Sequence, residues 1–339
     1  MNIGGVTTTN SVMLAPLAGF TDAGFRALCA NCGAGMTVTE MVSAKGMCYG
    51  NKGTDALLYK TVEENPVAVQ LFGSDPNFMY IAAHDERLAT FDVIDINMGC
   101  PVRKIVSNGD GSALMENPSL IEEIVTAVRE GSGKPVTVKL RSGVRTGEVV
   151  VPECAEAAVR GGACAVTVHP RFRDQMYGGV ADHSVTAQVA RTVSVPVIAS
   201  GDIVDAESFW RVKRQSRAAG FMIGRGALGR PWIFEVLAEA DKFDLARVFD
   251  EHDNLTEEAR AYAIEITKSA KDKFDVASAI RAHVTILSHI LPERAVANSM
   301  KLHLCHYAKN TPNAKAVRLA ITSIDGYDAI EKVIKEFFE

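Results

Sequence analysis

The sequence predicts an α/β chain in which an eight-stranded parallel (β/α)8 barrel, the TIM-barrel fold, is followed by an all-helical domain. The first observation is that eight short apolar runs lie between Met13 and Gly224, with helical patterns between most of them. The second is that such runs stop after about Asp241, where four helical patterns follow. Strand alternating with helix in this way is typical of the barrel. We therefore expect a barrel domain at 1–240 and a helical domain at 241–339.

The predicted strands are short runs of apolar residues with little alternation, as buried parallel strands require. They cover 13–17, 36–40, 67–72, 93–97, 136–140, 165–169, 195–200 and 221–224. An open doubly wound sheet is the competing fold, and it more often carries a G-x-G-x-x-G fingerprint after its first strand. Here the first run leads into Ala18-Gly19 without that fingerprint, which favours the barrel.

Helix-start signals lie between the strands. Thr21 and Asp22 can cap a helix over 23–30, and Asp205 precedes one over 206–214. Prolines suited to a first turn open four more helices. These four are predicted over 76–89, 118–129, 152–160 and 231–240. After the barrel, helices are predicted over 255–273, 277–291, 293–309 and 325–338.

Composition excludes several classes of protein. No apolar run among the 339 residues reaches the length of a membrane span, and the first ten residues lack a signal-peptide pattern. The seven cysteines are scattered and odd in number, which fits reduced thiols better than a disulfide framework. We therefore expect a cytoplasmic protein without a membrane partner. Cys29-x-x-Cys32 lies alone in a helical pattern, so we expect packing there and no metal site.

Polar side chains stand at the ends of successive predicted strands. In a parallel barrel these ends ring one face, where active sites lie. The residues are Glu40, Gln70, Asn97 with Cys100, Lys139 and His169. Each of them alone has a structural explanation, but their recurrence at the same end favours one shared pocket.

Cys100 ends the segment 92–101, DVIDINMGCP, which reads as a buried strand followed by a stiff loop. Gly99 makes a tight turn there inexpensive, because glycine tolerates positive φ. On the loop alone, a packed cysteine is the competing interpretation, since free cysteine is among the most buried residues. Its place among the other strand ends favours a reactive thiol.

The last two strand ends predict a phosphate site. Ser200-Gly201-Asp202 and Gly224-Arg225-Gly226 follow strands seven and eight, where barrels frequently bind phosphate through backbone N–H groups. Arg225 can add charge-assisted hydrogen bonds. This pattern does not distinguish a flavin mononucleotide from a sugar phosphate.

The helical domain carries a local excess of positive charge. Between Ser278 and Arg318, six Lys or Arg residues stand against one acidic residue, a net charge of +5 in a chain of net charge −5. Clustered positive charge in an acidic protein indicates an RNA phosphate backbone as partner, and a solvated helix face is the alternative.

Seven segments, taken in order, resemble the tRNA-dihydrouridine synthases, most closely the bacterial B-type branch. They are MLAPLAGFTD at 13–22, VAVQLFGSDP at 67–76, DVIDINMGCP at 92–101, GSALM at 111–115, VTVKLRSG at 136–143, VPVIASGDI at 195–203 and MIGRGALGRPWIF at 222–234. The resemblance runs from about residue 11 to 234 and is weaker beyond. It implies an FMN-bound barrel with a helical tRNA-binding domain, in which NADPH recharges the flavin and a uridine C5–C6 double bond is reduced.

The resemblance also implies roles for individual residues. Cys100 is implied to be the catalytic acid. The residues implied to hold FMN are Pro16, Leu17, Ala18, Gln70, Lys139, His169, Ser200, Gly201, Asp202, Gly224 and Arg225. Those implied to face the RNA are Asn97, Arg141, Arg171 and Lys301.

Elementary chemistry agrees with these roles. When hydride adds to C6, a thiol on the opposite face can protonate C5, and a cysteine with a pKa of about 8.5 is protonated near neutral pH. A uracil inside folded RNA is stacked or paired, so it must be flipped out to reach a flavin. A second domain that grips the RNA is then expected.

Two departures from the family pattern concern the phosphate end. Ser200 stands where the family commonly has asparagine, and His169-Pro170-Arg171 replaces His-Gly-Arg. The helical domain matches least well, through Ser299 to His303, and leaves open which uridine is reduced.

Three alternatives remain at this point. The first is an FMN-dependent reductase of a small molecule, and the second is an RNA-binding or chaperone protein with a vestigial flavin site. The third is reduction of a uridine in ribosomal RNA. The oligomeric state is left open, with a monomer as the default expectation.

Overall fold

The computed structural model describes residues 1–51, 53–310 and 314–339. The strands of these ranges are β1 Asn2–Ile3, β2 Val6–Thr7, β3 Val12–Leu14, β4 Thr37–Ser43, β5 Val67–Phe72, β6 Val93–Met98, β7 Val136–Gly143, β8 Ala165–Phe172, β9 Val197–Ser200 and β10 Gly220–Ile223. The α-helices of the first two thirds are α1 Ala23–Asn31, α2 Ala44–Cys48, α3 Gly53–Leu57, α4 Pro76–Ala83, α5 Arg103–Val106, α6 Pro118–Ser132, α7 Val151–Gly161, α8 His183–Thr192, α9 Ala206–Ser216 and α10 Ile233–Lys242. The remaining α-helices are α11 Glu257–Lys273, α12 Val276–Ser288, α13 Glu293–Tyr307, α14 Ala314–Thr322 and α15 Tyr327–Phe337. Short 3₁₀ helices cover Glu86–Leu88, Gly111–Glu116, Arg225–Ala227, Leu245–Arg247 and Ala308–Asn310.

Strands β3 to β10 form one parallel sheet with the order β3-β10-β9-β8-β7-β6-β5-β4. Backbone hydrogen bonds also join its two outer strands, because the Leu14 N–H donates to the Met36 carbonyl over 3.0 Å and the Gly35 N–H donates to the Val12 carbonyl over 2.7 Å. The sheet is therefore a closed barrel with no exposed edge at this seam. This confirms the predicted TIM-barrel fold with a helical region after it.

All eight predicted strands are found, with shifted bounds. β3 ends at Leu14, so Pro16 to Ala18 form a loop, whereas β7 and β8 continue to Gly143 and Phe172. Five α-helices of the described ranges were not predicted, namely α2, α3, α5, α8 and α14. α8 has no opening proline, and its cap is Asp182, which accepts a hydrogen bond from the Ser184 N–H over 3.0 Å.

The predicted helix caps Asp22 and Asp205 are confirmed, whereas the Thr21 hydroxyl bonds to the backbone of Leu17 and does not cap α1. The Asp22 carboxylate accepts the Phe25 N–H over 2.9 Å at the start of α1. Asp205 forms a reciprocal capping box with Ser208 at the start of α9.

A small antiparallel hairpin, β1 and β2, closes the amino-terminal end of the barrel. Its Ile3 is fully buried among side chains that point into the barrel from several strands, including Met13, Val93 and Met222. Close packing at this end leaves the carboxyl ends of the strands as the open face of the barrel.

Two apolar clusters surround the barrel and a third lies in the helical region. One joins β5 to β8 with α4, α6 and α7, and another joins β3, β9 and β10 with α9, α10 and α11. The third core is built from α12 to α15, beginning at Ala277. α11 therefore packs with the barrel side, and the division into domains at residue 240 stays a prediction.

None of the helices in the described ranges combines the length and the apolar content that a bilayer span requires.

Candidate active site

A pocket of about 760 Å³ lies at the carboxyl ends of the barrel strands. Of the sixteen residues predicted to form the site, fourteen line this pocket. They are Pro16, Leu17, Ala18, Gln70, Asn97, Cys100, Lys139, Arg141, His169, Ser200, Gly201, Asp202, Gly224 and Arg225. Its volume is in the range of small-molecule and cofactor sites. The structure thus brings Gln70, Asn97, Cys100, Lys139 and His169 together, whereas Glu40, the remaining predicted strand-end residue, is not among the lining residues.

Asn97 holds the backbone of Cys100 in place. Its side-chain oxygen accepts the N–H of Cys100 over 2.9 Å and that of Gly99 over 3.3 Å. Its amide nitrogen donates to the Gln70 side-chain oxygen over 2.8 Å. Asn97 thereby uses both ends of its amide to tie the cysteine loop to the neighbouring strand.

A chain of hydrogen bonds continues from Gln70 into the barrel. The Gln70 side-chain nitrogen donates to Asp95 over 2.7 Å, and the Thr137 hydroxyl donates to the other Asp95 oxygen over 2.6 Å. Asp95 and Thr137 are buried, so these bonds are protected from water and fix the orientation of the Gln70 amide. We call the chain Thr137–Asp95–Gln70–Asn97 the amide relay.

A second loop holds Cys100 from the other side. The Cys100 carbonyl accepts the N–H of Ser112 over 3.1 Å and its hydroxyl over 2.9 Å. Gly111, at φ 61°, lies so close that a β-carbon there would be 2.9 Å from that carbonyl oxygen. Glycine is therefore required at position 111 for the two loops to meet.

The thiol end of the pocket contains two cations, the part-buried Lys139 and the buried Arg141. Burial and the nearby Arg141 together lower the pKa of Lys139 to about 8. Burial raises the pKa of the Cys100 thiol, although Arg141 and Lys139 oppose the shift. Near neutral pH the pocket therefore presents a protonated thiol beside an ammonium group that loses its proton easily.

Arg141 supports the loops at the mouth of the pocket. Its guanidinium donates to the carbonyls of Gly99, Phe172 and Met176 over 2.8, 3.0 and 2.9 Å. The ring of Tyr177 lies 5.8 Å from the Arg141 guanidinium and 5.1 Å from that of Arg225. Tyr177 is half exposed, so an aromatic face stands between two cations where a ligand enters.

Arginines and one carboxylate form the opposite end of the pocket. Arg171 donates to both oxygens of Asp202 over 2.8 Å, and Arg225 lies 3.4 Å from one of them. Burial raises the pKa of Asp202, but the Ala181 N–H and Arg171 lower it by more, so it is ionised. Two guanidinium groups against one carboxylate leave positive charge for an anion, and the half-exposed Arg225 can meet it.

His169 is neutral in this setting. Burial lowers its pKa well below the ordinary value, and the cations Lys139, Arg141 and Arg171 add to the shift. Arg171 lies 3.3 Å from His169 Nε2, and since arginine only donates, that nitrogen accepts. A β-carbon at Gly201 would lie 2.8 Å from the His169 ring, so this loop also depends on glycine.

The structure does not bring two of the predicted residues to the pocket. Arg171 is 2% exposed and bound to Asp202 and to the carbonyls of Gly178 and Gly179. Lys301 lies on α13 and is not among the residues that line the pocket.

Several pocket residues were not predicted from the sequence. Tyr177 comes from the loop after β8, and Phe20, His306 and Lys309 form part of the wall. Asp95 lies behind the pocket, and its part in the amide relay was not predicted. The sequence does contain a signal for it, because a carboxylate within a buried apolar strand requires hydrogen-bond donors. No sequence signal placed His306 and Lys309, since their position depends on how the helical region packs on the barrel.

Fold and site define a class of protein: a TIM-barrel enzyme with a cysteine, a lysine and an anion-binding end in one pocket at the strand ends. The family model described as dihydrouridine synthase matches residues 13–337. The chain therefore belongs to the dihydrouridine synthase family and is an oxidoreductase of that class. This confirms the family resemblance found in the motifs.

Relatives agree with the family assignment over the full length. The chain is 32% identical to the tRNA-dihydrouridine synthase B of Xanthomonas axonopodis pv. citri, covering 100% of this chain and 96% of the relative. It is 33% identical to the protein of that name from Pseudomonas aeruginosa, with the same coverage. The Yersinia pestis protein of that name is 40% identical over 69% of this chain and 73% of its own length.

Solved structures of low sequence identity share the barrel. Histamine dehydrogenase from Rhizobium sp. 4-9 matches with a TM-score of 0.55 at 15% identity, over 70% of this chain and 47% of that one. A 2-naphthoyl-CoA reductase matches with a TM-score of 0.54 at 10% identity, over 70% of this chain and 51% of that one. At these identities the likeness concerns the fold alone.

Proposed function

We propose that the protein reduces the C5–C6 double bond of specific uridines in tRNA to 5,6-dihydrouridine, with FMN as its flavin and NADPH as the reductant. The observation that carries the proposal is the pocket with a fixed, protonated thiol at one end and an anion-binding end at the other. Full-length relatives named tRNA-dihydrouridine synthase B support tRNA as the substrate. Seven free cysteines suit a cytoplasmic location.

The donors of the pocket fit FMN from end to end. Arg225, His169 and the loops at 200–202 and 224–226 would hold the phosphate, because they supply positive charge and small residues that let an anion approach. Gln70 and Lys139 would hydrogen-bond the ring system, and the apolar loop Pro16 to Ala18 would cover it. The bound flavin supplies hydride-transfer chemistry to the site.

Cys100 would supply the proton that completes the reduction at C5 of the uracil. The amide relay and Ser112 hold its backbone from two sides, so the thiol has a fixed approach to a base in the pocket. Because its pKa is raised, the thiol still carries its proton when it is needed. Lys139 would steady negative charge that develops on the uracil carbonyl next to C5.

The base itself would be recognised at the mouth of the pocket. Asn97 and Arg141 line it on the Cys100 side, where polar groups of a flipped uracil would lie. Arg171 would act as a support for Asp202, since it is buried and engaged there. Lys301 would contact RNA outside the pocket, together with the other basic residues of the helical region.

The test is to map dihydrouridine by position in RNA that lacks the modification. The reaction contains the purified protein, FMN, NADPH and separate pools of tRNA and ribosomal RNA. We expect product at one or a few uridines of tRNA. Product confined to ribosomal RNA would support the proposed reaction but contradict tRNA as its substrate. No product in either pool, with the bound flavin reducible by NADPH, would favour a small-molecule reductase.

A further inference from the structure

A buried trio of polar side chains joins the two parts of the chain. Asp22 Oδ1 lies 2.7 Å from His283 Nε2, and Asp22 Oδ2 lies 3.4 Å from His303 Nε2. Ser299 also donates its hydroxyl to Asp22 Oδ2 over 3.1 Å. Asp22 follows the loop of the barrel that lines the pocket, whereas the two histidines come from α12 and α13.

The trio is largely shielded from water, with the Asp22 side chain 14% exposed. His283 and His303 are fully buried, and burial lowers the pKa of His303. Burial also raises the pKa of Asp22, but the two histidines lower it by more, so the carboxylate is ionised. An ionised and largely buried carboxylate requires donors. His283 and Ser299 donate hydrogen bonds to it, and His303 Nε2 faces it at 3.4 Å without a hydrogen bond. Removing one donor therefore weakens the docking of these helices on the barrel.

The residue types of the trio are also those of a metal site, and its ligand atoms lie within 4.8 Å of one another. The distance of 2.7 Å between Asp22 Oδ1 and His283 Nε2 is that of a direct hydrogen bond. Asp22 Oδ1 additionally accepts the Phe25 N–H as the cap of α1. The carboxylate is thus already occupied by donors, which favours a hydrogen-bonded role.

Close backbone approach shows how tightly the helices sit on the barrel loops. A β-carbon at Gly24 would lie 2.1 Å from the His283 ring. One at Gly229, in the loop after β10, would lie 2.6 Å from the His306 carbonyl. Phe20 of the barrel contacts the rings of both His303 and His306, with centroids 5.9 and 5.3 Å apart. The end of α13 is therefore held between two loops of the barrel.

As a result, the helical region reaches the pocket. His306 and Lys309 line it, and Lys309 Nζ lies 3.0 Å from His306 Nδ1. Burial and the neighbouring Lys309 lower the pKa of His306 to about 4, so His306 accepts this hydrogen bond as a neutral ring. The side chain of Lys309 is exposed, and the hydrogen bond to His306 steadies its ammonium group at the mouth of the pocket.

We infer that Asp22, His283 and His303 form a latch that positions Lys309 to bind a phosphate of the RNA next to the uridine that enters the pocket. The inference rests on the proposed function. Lys309 belongs to the basic stretch 278–318, which favours RNA over the reductant as the source of the phosphate. The latch residues are positioning residues, because they act through Lys309 and do not touch the base.

The test is a double-mutant cycle between the latch and Lys309, measured on the full-length FMN-bound protein. The variants are Asp22→Asn, Lys309→Gln and their combination, and asparagine keeps the helix cap at position 22. Two readouts are the Kd for unmodified tRNA and kcat/KM for dihydrouridine formation. We expect each single change to weaken tRNA binding about tenfold, and the combination to cause no further loss.

Lys315→Gln is the matched control, because it removes the same charge from an exposed position of α14 that does not line the pocket. When Lys315→Gln is combined with Asp22→Asn, the two losses of tRNA affinity should multiply. A second route to the same loss is Gly24→Ala, which displaces His283 without touching a charged group. If Asp22→Asn does not fold, the cycle is made with Gly24→Ala.

Three outcomes would overturn the inference. The first is that the combined variant Asp22→Asn and Lys309→Gln loses tRNA affinity by a factor equal to the product of the two single losses. The second is slower flavin reduction by NADPH in Lys309→Gln with unchanged tRNA affinity, which would assign the phosphate to the reductant. The third is a stoichiometric divalent metal in the purified protein that Asp22→Asn removes. Failure of the proposed function is separate, since it appears as wild-type protein that binds tRNA and forms no dihydrouridine.

Discussion

The two ends of the pocket are built from different interactions. At the Cys100 end, the amide relay, Ser112 and the Arg141 guanidinium hold the loop through hydrogen bonds to its backbone. At the Arg225 end, two guanidinium groups share the single carboxylate of Asp202. Hydrogen bonds to the loop backbone fix the position of the thiol, whereas surplus positive charge prepares the other end for an anion. Each end can therefore be removed while the other is kept.

The largest expected effect is at the thiol end. Cys100→Ala should lower turnover on unmodified tRNA by about 10²- to 10⁴-fold, the usual contribution of a general acid, while flavin content stays unchanged. Cys48→Ala, a second half-buried cysteine outside the pocket, is the control. Single-turnover dihydrouridine formation and the flavin absorbance of the purified protein measure both properties. Wild-type turnover in Cys100→Ala would contradict the assignment of the acid.

The next effect is at the anion end. Arg225→Ala should weaken flavin binding by about ten- to a hundredfold, since a hydrogen bond to a charged group contributes about 1.5–3 kcal/mol. With flavin in excess, turnover should recover, because the thiol end is intact. A titration followed by flavin fluorescence gives the affinity, with Arg214→Ala on the outer face of the barrel as control. Equal flavin affinity in Arg225→Ala and wild type would place the phosphate elsewhere.

The dependence on pH should also separate the ends. Lys139, with a pKa of about 8, holds its charge below that pH and loses it above. Turnover should therefore decline as the pH rises through about 8, while Cys100 stays protonated because its own pKa is raised. Flavin affinity should change less than turnover between about pH 7 and 9, because the arginines that would hold the phosphate do not titrate there and Lys139 would contribute only to the binding of the ring system. The Lys139→Met variant should turn over more slowly at every pH, and its rate should no longer decline near pH 8. A decline that persists in this variant would mean that another group causes it.

The smallest effect should come from Ser112→Ala. This change removes the hydroxyl bond to the Cys100 carbonyl but keeps the bond from the Ser112 N–H. One neutral hydrogen bond contributes about 1 kcal/mol, so turnover should fall by only about fivefold. A kcat measurement with saturating tRNA tests this. A loss as large as that of Cys100→Ala would mean that Ser112 has a direct part in the chemistry.

The sequence predicts the barrel and its strand-end residues well, because both follow from local patterns. A short apolar run predicts a buried parallel strand, and the carboxyl end of such a strand lies on the active-site face of the barrel. The contacts made by Arg171 were not predictable in the same way. The family resemblance implied an RNA contact for Arg171, but β8 continues to Phe172 and the Arg171 side chain binds Asp202.

The place of α13 was also beyond local patterns. His303 and His306 lie more than 280 residues from Phe20, which both rings contact. Helical periodicity gives the length of α13 and the apolar face that it buries, but it does not give the loops against which that face docks. The residues that complete the pocket from the helical region therefore emerge only from the tertiary structure.

The hairpin β1–β2 has a consequence for the order of events. With Ile3 filling the amino-terminal end of the barrel, a ligand reaches the pocket through its opposite mouth. Under the proposed function, the nicotinamide of the reductant and the uracil of the RNA would enter the pocket through the same mouth. The two would therefore bind one after the other, as in a ping-pong cycle. An enzyme with RNA bound would keep the redox state in which the RNA found it.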